Sequence, residues 1–288
     1  MLGQDFTALA APRHEILPLD LPEVDITDAG AVARCVAGAR PEAVIHAAAF
    51  TAVDECERRP EVAFRVNAEG TRNVALACRD TRVPMLYIST DYVFDGEKPS
   101  PYLEDDAANP LGVYGRSKLE GEKSVRELVP RFWIARTSWL FGPGGRNFVR
   151  TILEKAQAEG ELRVVDDQFG APTYTMHLAA ALEEIVTKGG PGIYHTTGQG
   201  HCSWFEFART ILQEAGFSAT RVVPIPTSAS SSPTRRPKNS RLASTHLQAE
   251  GLSLLPPWEE GLHCYLEREP LAKRRGEAGL RQGASTHI

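Results

Sequence analysis

Positive charge is not in surplus in this 288-residue chain: 32 Lys and Arg stand against 37 Asp and Glu, a formal net charge of -5 at pH 7. Such a balance offers no excess of basic surface to a nucleic-acid backbone and argues against a nucleic-acid partner, although a local basic pocket for a phosphorylated small molecule stays open. Cysteine is sparse, and the five present (Cys35, Cys56, Cys78, Cys202, Cys264) form no C-x-x-C pair and no His/Cys cluster at zinc spacing. That excludes the usual sequence patterns of a structural zinc site and reads as free thiols in a reducing compartment, with no metal site expected. No apolar run approaches the ~20 residues that a membrane-crossing helix needs, and no signal-peptide pattern opens the chain, so a soluble cytoplasmic protein without membrane contact is expected. Internal repeats are absent as well. What is present is length and apolar content, 42% hydrophobic residues over 288, enough for one large α/β domain or for one domain with a smaller lobe.

Residues 14–19 (HEILPL), 43–49 (AVIHAAA), 84–90 (PMLYIST) and 132–140 (FWIARTSWL) read as short buried strands, with helical patterns such as 61–79 and 115–129 between them. That alternation predicts βαβ units and a Rossmann-like, doubly wound parallel sheet. Val62, Val66, Val74 and Ala77 fall near helical spacing and are expected to pack the core. After the Gly142-Pro143-Gly144-Gly145 loop, helical runs at 147–159, 175–188 and 203–215 interleave with strand candidates at 161–165, 192–197 and 220–226. The expected division is a dinucleotide-binding part over 1–142, then a smaller, partly interwoven substrate lobe over 143–269 with segments returning to the first. A disordered tail is expected over 270–288. The polar, Ser- and Pro-rich stretch 227–240 is either a flexible loop or a strap that orders over a ligand.

The local signal for chemistry is Tyr114-Gly115-Arg116-Ser117-Lys118 at a helix start. Residues four apart share a helical face, so a phenol and an ammonium address one ligand together. A phenol near its ordinary pKa is a poor acid or base at neutral pH, and an adjacent ammonium is expected to favour the phenolate. Ligands of open α/β sheets bind outside the carboxyl ends of the strands, which makes Thr90, at the end of 84–90, a candidate hydroxyl beside Tyr114. Trp139 offers an aromatic platform at the same edge. On pattern alone Thr90 equally caps a turn and Trp139 equally fills core.

The runs YISTDYVFDG (87–96), VYGRSKLEGE (113–122), RTSWLFG (136–142) and DDQFGAPT (166–173) resemble the extended short-chain dehydrogenases, and the last two point to the dTDP-4-dehydrorhamnose reductase family. HAAAFTAVDECE (46–57), VNAEGTRNVA (66–75) and RPKNSRL (236–242) agree, so the resemblance spans the chain to about residue 268. It implies hydride transfer from NADPH, with NADH tolerated, to C4 of dTDP-4-dehydro-6-deoxy-L-mannose, giving dTDP-L-rhamnose. It further implies that Tyr114 donates the proton, Lys118 holds the nicotinamide ribose, and Thr90 hydrogen-bonds the reacting oxygen. Asp91 and Trp139 would line the sugar pocket, with Arg236 a diphosphate partner on a strap over it. On the cofactor side the same likeness points to Asp25 and Ile26 at the adenine and to Ala48, Ala49, Phe50 and Thr51 at a strand end. Some members form magnesium-dependent homodimers, through acidic residues that match no positions here.

The opening departs from the family pattern. Met1-Leu2-Gly3 resembles the end of the glycine-rich turn, with Gly3 as its third glycine, so Met1, Leu2 and Gly3 are expected at the pyrophosphate. The preceding strand and two glycines are not in this sequence, and a late-called start or a shortened protein are the two explanations. A gap, or a non-native pairing, is therefore expected between 14–19 and 43–49. Asp20, which favours ribose hydroxyls, and Arg13, which favours a phosphate, leave NADH and NADPH undecided. Two other functions compete: a different nucleotide-sugar epimerase or dehydratase of the same superfamily, and a non-catalytic subunit resembling the regulatory subunit of methionine adenosyltransferase. The Asp91-Tyr92 pair after Thr90 weighs against dehydration, and the RTSW and DDQFGAPT runs favour the reductase.

Overall fold

The computed structural model describes residues 1–230, 232 and 234–271. Helices α1 (Leu2–Ala10) and α2 (Ala29–Ala39) precede strand β1 (Val44–His46). Then α3 (Val53–Arg58), α4 (Pro60–Phe64) and α5 (Thr71–Thr81) lead to β2 (Met85–Thr90), and α6 (Val113–Leu128) leads to β3 (Phe132–Thr137). Next come β4 (Leu140–Phe141), α7 (Phe148–Ala158), β5 (Glu161–Val165), β6 (Phe169–Gly170), β7 (Thr173–Tyr174) and α8 (Thr175–Lys188). The chain continues through β8 (Gly192–His195), β9 (Cys202–Ser203), α9 (Trp204–Glu214), β10 (Arg221–Ile225), α10 (Thr245–Ala249) and α11 (Trp258–Leu266).

The main sheet is parallel with strand order β1-β2-β3-β8. Every residue of β2 is buried, as a strand covered on both faces must be. Its side chains alternate: Met85 and Tyr87 enter one apolar layer with Val32, Val74 and Val125 from α2, α5 and α6, while Leu86 and Ile88 enter the other with Phe6, Leu178 and Leu182 from α1 and α8. This is the doubly wound α/β arrangement expected from the alternating pattern. A second core gathers Phe141, Leu153, Phe207, Leu212 and Trp258 around α7, α9 and α11, beside the parallel pair β5–β10. Residues 175–195 return from that lobe to the first sheet, where β8 pairs with β3.

Four sequence expectations need correction. Residues 14–19 form no strand: β1 pairs only with β2 among the described residues, so this segment has no ladder partner, and Leu17, Leu19 and Leu21 lie exposed. An extended apolar segment becomes a strand only where neighbouring backbone groups complete its hydrogen bonds. The run 132–140 is broken at Trp139, whose φ of 48° turns the chain, so that β4 pairs with β7 instead of continuing the sheet. The run 43–49 is a strand only to His46, and 47–52 forms a loop off its carboxyl end. Within 61–79 a π-helical turn, Arg65–Gly70, joins α4 to α5. Asn67, four residues from buried Ala63 and from buried Thr71, is fully buried on the inward face of this segment. Val74 and Ala77 are buried, Val62 and Val66 only partly. From residue 272 on, the tail expected over 270–288 lies outside the described residues. No helix among the described residues is long and apolar enough to cross a membrane.

Candidate active site

The carboxyl end of β2 and the 91–93 turn that follows it meet the start of α6. Helix α6 presses against the 91–93 turn because Gly115 has no side chain: a Cβ there would stand 2.1 Å from the Tyr92 carbonyl oxygen. That approach sets Tyr114, half-buried, beside Thr90, and the Thr90 side chain interacts with its hydroxyl. Tyr114 also packs edge-on against Tyr92, ring centroids 6.0 Å apart. Thr90 Oγ1 donates to Asp91 Oδ1 at 3.0 Å and accepts from the Tyr92 amide at 3.2 Å. Thr90 thus caps the turn and faces the phenol at once, so the two readings of this residue coexist.

Lys118 follows one helical turn later and is almost completely buried. Its Nζ donates to the Ile88 carbonyl at 2.6 Å and sits 4.1 Å from the centre of the Tyr87 ring. Burial lowers its pKa to about 7, against the opposing pull of Glu122. Burial, and then the charge of Asp91, push the Tyr114 phenol well above its ordinary range. This is opposite to the lowering expected from Tyr–Lys spacing alone, because the ammonium is turned to a backbone carbonyl and the nearby charge is a carboxylate. Asp91 is itself raised to about 7 by burial, partly offset by hydrogen bonds from Ser240 and Thr90. His46, buried beside Lys118, is lowered to about 3 and is neutral at ordinary pH.

At the end of β1, Ala48 and Thr51 are exposed and Ala49 and Phe50 half-buried. Asn67 holds this loop: Phe50 N donates to Asn67 Oδ1 at 2.7 Å, and Asn67 Nδ2 donates to Phe50 O and to Ser117 Oγ, each at 3.0 Å. One buried amide therefore links the loop to α6. Met1, Leu2 and Gly3 open α1, whose first turn has no side-chain cap, and the space a Gly3 side chain would take is empty to 4 Å. Asp25 turns its carboxylate onto Thr27 N and Oγ1, both at 2.8 Å, and Ile26 packs under Gly70, where an added Cβ would come within 2.8 Å. Arg13 is not free for a phosphate: it pairs with Glu183 of α8, Nη2 to Oε2 at 2.6 Å. Asp20 accepts from the Leu21 amide at 2.8 Å.

Trp139 lies flat on Trp204, ring centroids 3.5 Å apart and 8° between planes. Trp204, Phe148 and Arg236 line a cleft of about 270 Å³ between α7, β5 and the 227–236 segment. Trp139 is not in its lining; it backs the ring that is. Arg236 Nη2 approaches Asp54 Oδ1 at 3.4 Å while its buried Nε has no hydrogen-bond partner among the described residues. Residues 236–242 are packed: Asn239 bridges to Phe169, Leu242 to Tyr102, and Pro237 covers Gly96. Thr234 lines both this cleft and a small pocket beside Tyr92 and Tyr114, so the strap spans the two. Trp204, Asp54 and Asn67 escaped sequence reasoning. The buried polar Asn67 inside an apolar helical run was the one visible hint.

The family model described as the RmlD substrate binding domain matches residues 1–270. The chain is 41% identical over 269 residues to the dTDP-4-dehydrorhamnose reductase of Streptomyces griseus, covering 91% of this chain and 88% of that protein. It is 40% identical over 263 residues to the enzyme of that name from Sinorhizobium fredii, covering 88% and 89%. Among solved structures, the dTDP-4-dehydrorhamnose reductase of Bacillus anthracis in complex with NADP superposes with a TM-score of 0.90 at 38% identity, covering 93% of this chain and 95% of that one.

Proposed function

Because the chain belongs to the family of the RmlD substrate binding domain, we propose that it reduces the C4 ketone of dTDP-4-dehydro-6-deoxy-L-mannose to dTDP-L-rhamnose, using NADPH first and NADH second. The observation that carries this reading is the convergence of Tyr114, Thr90 and Lys118 at the carboxyl end of β2, beneath a strap that also borders an aromatic, arginine-bearing cleft.

The residues present fit a dinucleotide. The loop of Ala48, Ala49, Phe50 and Thr51 is tied through Asn67 to Ser117, the neighbour of Lys118 on α6, and the uncapped turn of Met1, Leu2 and Gly3 has free space among the described residues at Gly3 for a close-lying phosphate. Asp25 and Ile26 would flank the adenine. A reduced nicotinamide bound there supplies the hydride. Charge then gathers on the ketone oxygen, and donors aimed at that oxygen stabilise the transition state. Thr90 donates a hydrogen bond to it, and Tyr114 transfers its phenolic proton. A phenol kept neutral by burial and by Asp91 is in the protonation state that a proton donor requires. Lys118, whose Nζ donates to the Ile88 carbonyl, would hold the nicotinamide ribose. Arg236, whose Nε is unpartnered among the described residues, takes the diphosphate, and Trp204 with Phe148 offers the thymine an apolar wall, supported from behind by Trp139; Asp91 borders the sugar.

The test is to supply the keto-sugar nucleotide, generated in situ, with NADPH and follow loss of the reduced nicotinamide absorbance together with formation of dTDP-L-rhamnose. Turnover that requires Tyr114 is expected. Absence of the rhamnosyl product with cofactor and keto-sugar both bound would refute the reading and favour a binding subunit.

A further inference from the structure

Tyr114, Lys118 and Glu122 follow one another at four-residue spacing on α6, and Glu122 has no part in the chemistry above. Its carboxylate is 1% exposed and meets Arg136 of β3 in a two-pronged ion pair, Nε to Oε1 at 3.0 Å and Nη2 to Oε2 at 2.8 Å. Ser89, next to Thr90 on β2, donates to the same Oε1 at 2.5 Å. Arg136 Nη1 donates to the Glu104 carbonyl at 3.2 Å. Lys118 Nζ bonds the carbonyl of Ile88, the residue before Ser89. A single charged pair therefore joins α6, β2 and β3, one helical turn from Lys118 and one residue from Thr90.

We propose that the buried Glu122–Arg136 pair is a positioning device, holding Thr90 through Ser89 and keeping Lys118 charged and in place. Stability alone is a weak reason for such a pair: removing two charges from water costs about as much as their attraction returns, and well-packed apolar replacements are often neutral or better. Electrostatics give it a second task. The groups facing Lys118 are His46 from β1 and Tyr87 from β2, with Tyr114 and Glu122 on its own helix. His46 and both phenols are neutral at ordinary pH, which makes Glu122 the opposing charge that counters burial.

The inference rests on Lys118 as a site residue, and its test does not need turnover. Lysine labelled at the ε-carbon is titrated by NMR in the protein without added cofactor, with the Lys118 signal assigned through Lys118→Met. Two variants are compared with the parent: Glu122→Gln, and the double variant Glu122→Met with Arg136→Met, which removes both charges and leaves neither buried alone. In each, the Lys118 midpoint is expected to fall by about one unit, as for loss of an opposite charge one helical turn away. The alkaline limb of kcat/KM should move down with it, since Lys118 then loses its proton at lower pH. A folded double variant whose Lys118 midpoint and pH profile match the parent's would overturn the proposal and leave the pair a scaffold element. Failure of both variants to fold would assign the pair to stability and overturn it equally. Movement of the NMR midpoint without reductase turnover in the parent would uphold the pair while refuting the proposed reaction.

Discussion

Tyr114→Phe tests the site most directly, because it deletes one oxygen and keeps the ring. The ring's edge-on contact with Tyr92 survives, and Thr90 keeps its bonds to Asp91 Oδ1 and the Tyr92 amide. The fold therefore loses one polar contact, about 1 kcal/mol on the scale of a neutral hydrogen bond. The reaction loses its proton donor. No neighbour replaces it: Thr90 is a far weaker acid, Lys118 is turned to the Ile88 carbonyl, and Asp91 is a protonated acid only below about pH 7. A positioned general acid contributes roughly 100- to 10,000-fold, or about 3 to 5 kcal/mol of barrier. The expected result is a fall of that size in kcat, with NADPH and dTDP affinities and urea midpoint near those of the parent. Assays at pH 6 and pH 8 separate the remaining route, since residual activity through Asp91 would be confined to the lower pH. A variant retaining more than a third of parental kcat at pH 8 would assign the proton to another group.

Arg236→Ala should weaken dTDP binding roughly 10- to 100-fold, the range of a charge-assisted bond, and leave NADPH binding intact; equal dTDP affinity by calorimetry would remove the strap from the substrate site. Gly115→Ala places a carbon 2.1 Å from the Tyr92 carbonyl, so α6 must back away at a cost of about 1–3 kcal/mol; an unchanged melting temperature with full turnover would contradict the close approach. Asp91→Asn concerns pH. Burial raises Asp91 to about 7, so its stability contribution is fully present below the unfolded value near 3.8 and is lost as pH rises through 7. The asparagine variant should gain on the parent in urea midpoint between pH 4.5 and pH 7.5, and a pH-independent difference would refute the burial of that carboxyl.

The sequence by itself determined the layers and the placing of Tyr114 and Lys118 one turn apart on one helix. A short apolar run such as 85–88 suits a strand covered on both faces, and the spacing of Tyr114 and Lys118 is a property of the helix they start. Thr90 was legible for the same local reason, as the end of such a strand. Tertiary structure alone decided what needs a neighbour. Residues 14–19 have the composition of a strand but no ladder partner, so they remain unpaired. Trp139 lies in the left-handed region and backs Trp204, a contact between segments 65 residues apart that no local pattern encodes. The direction of the Tyr114 shift was likewise hidden, because it depends on where the Lys118 ammonium points and on how completely Asp91 is buried. Local periodicity is a short-range property of the chain, whereas burial, ionisation and pairing depend on which distant segments pack together.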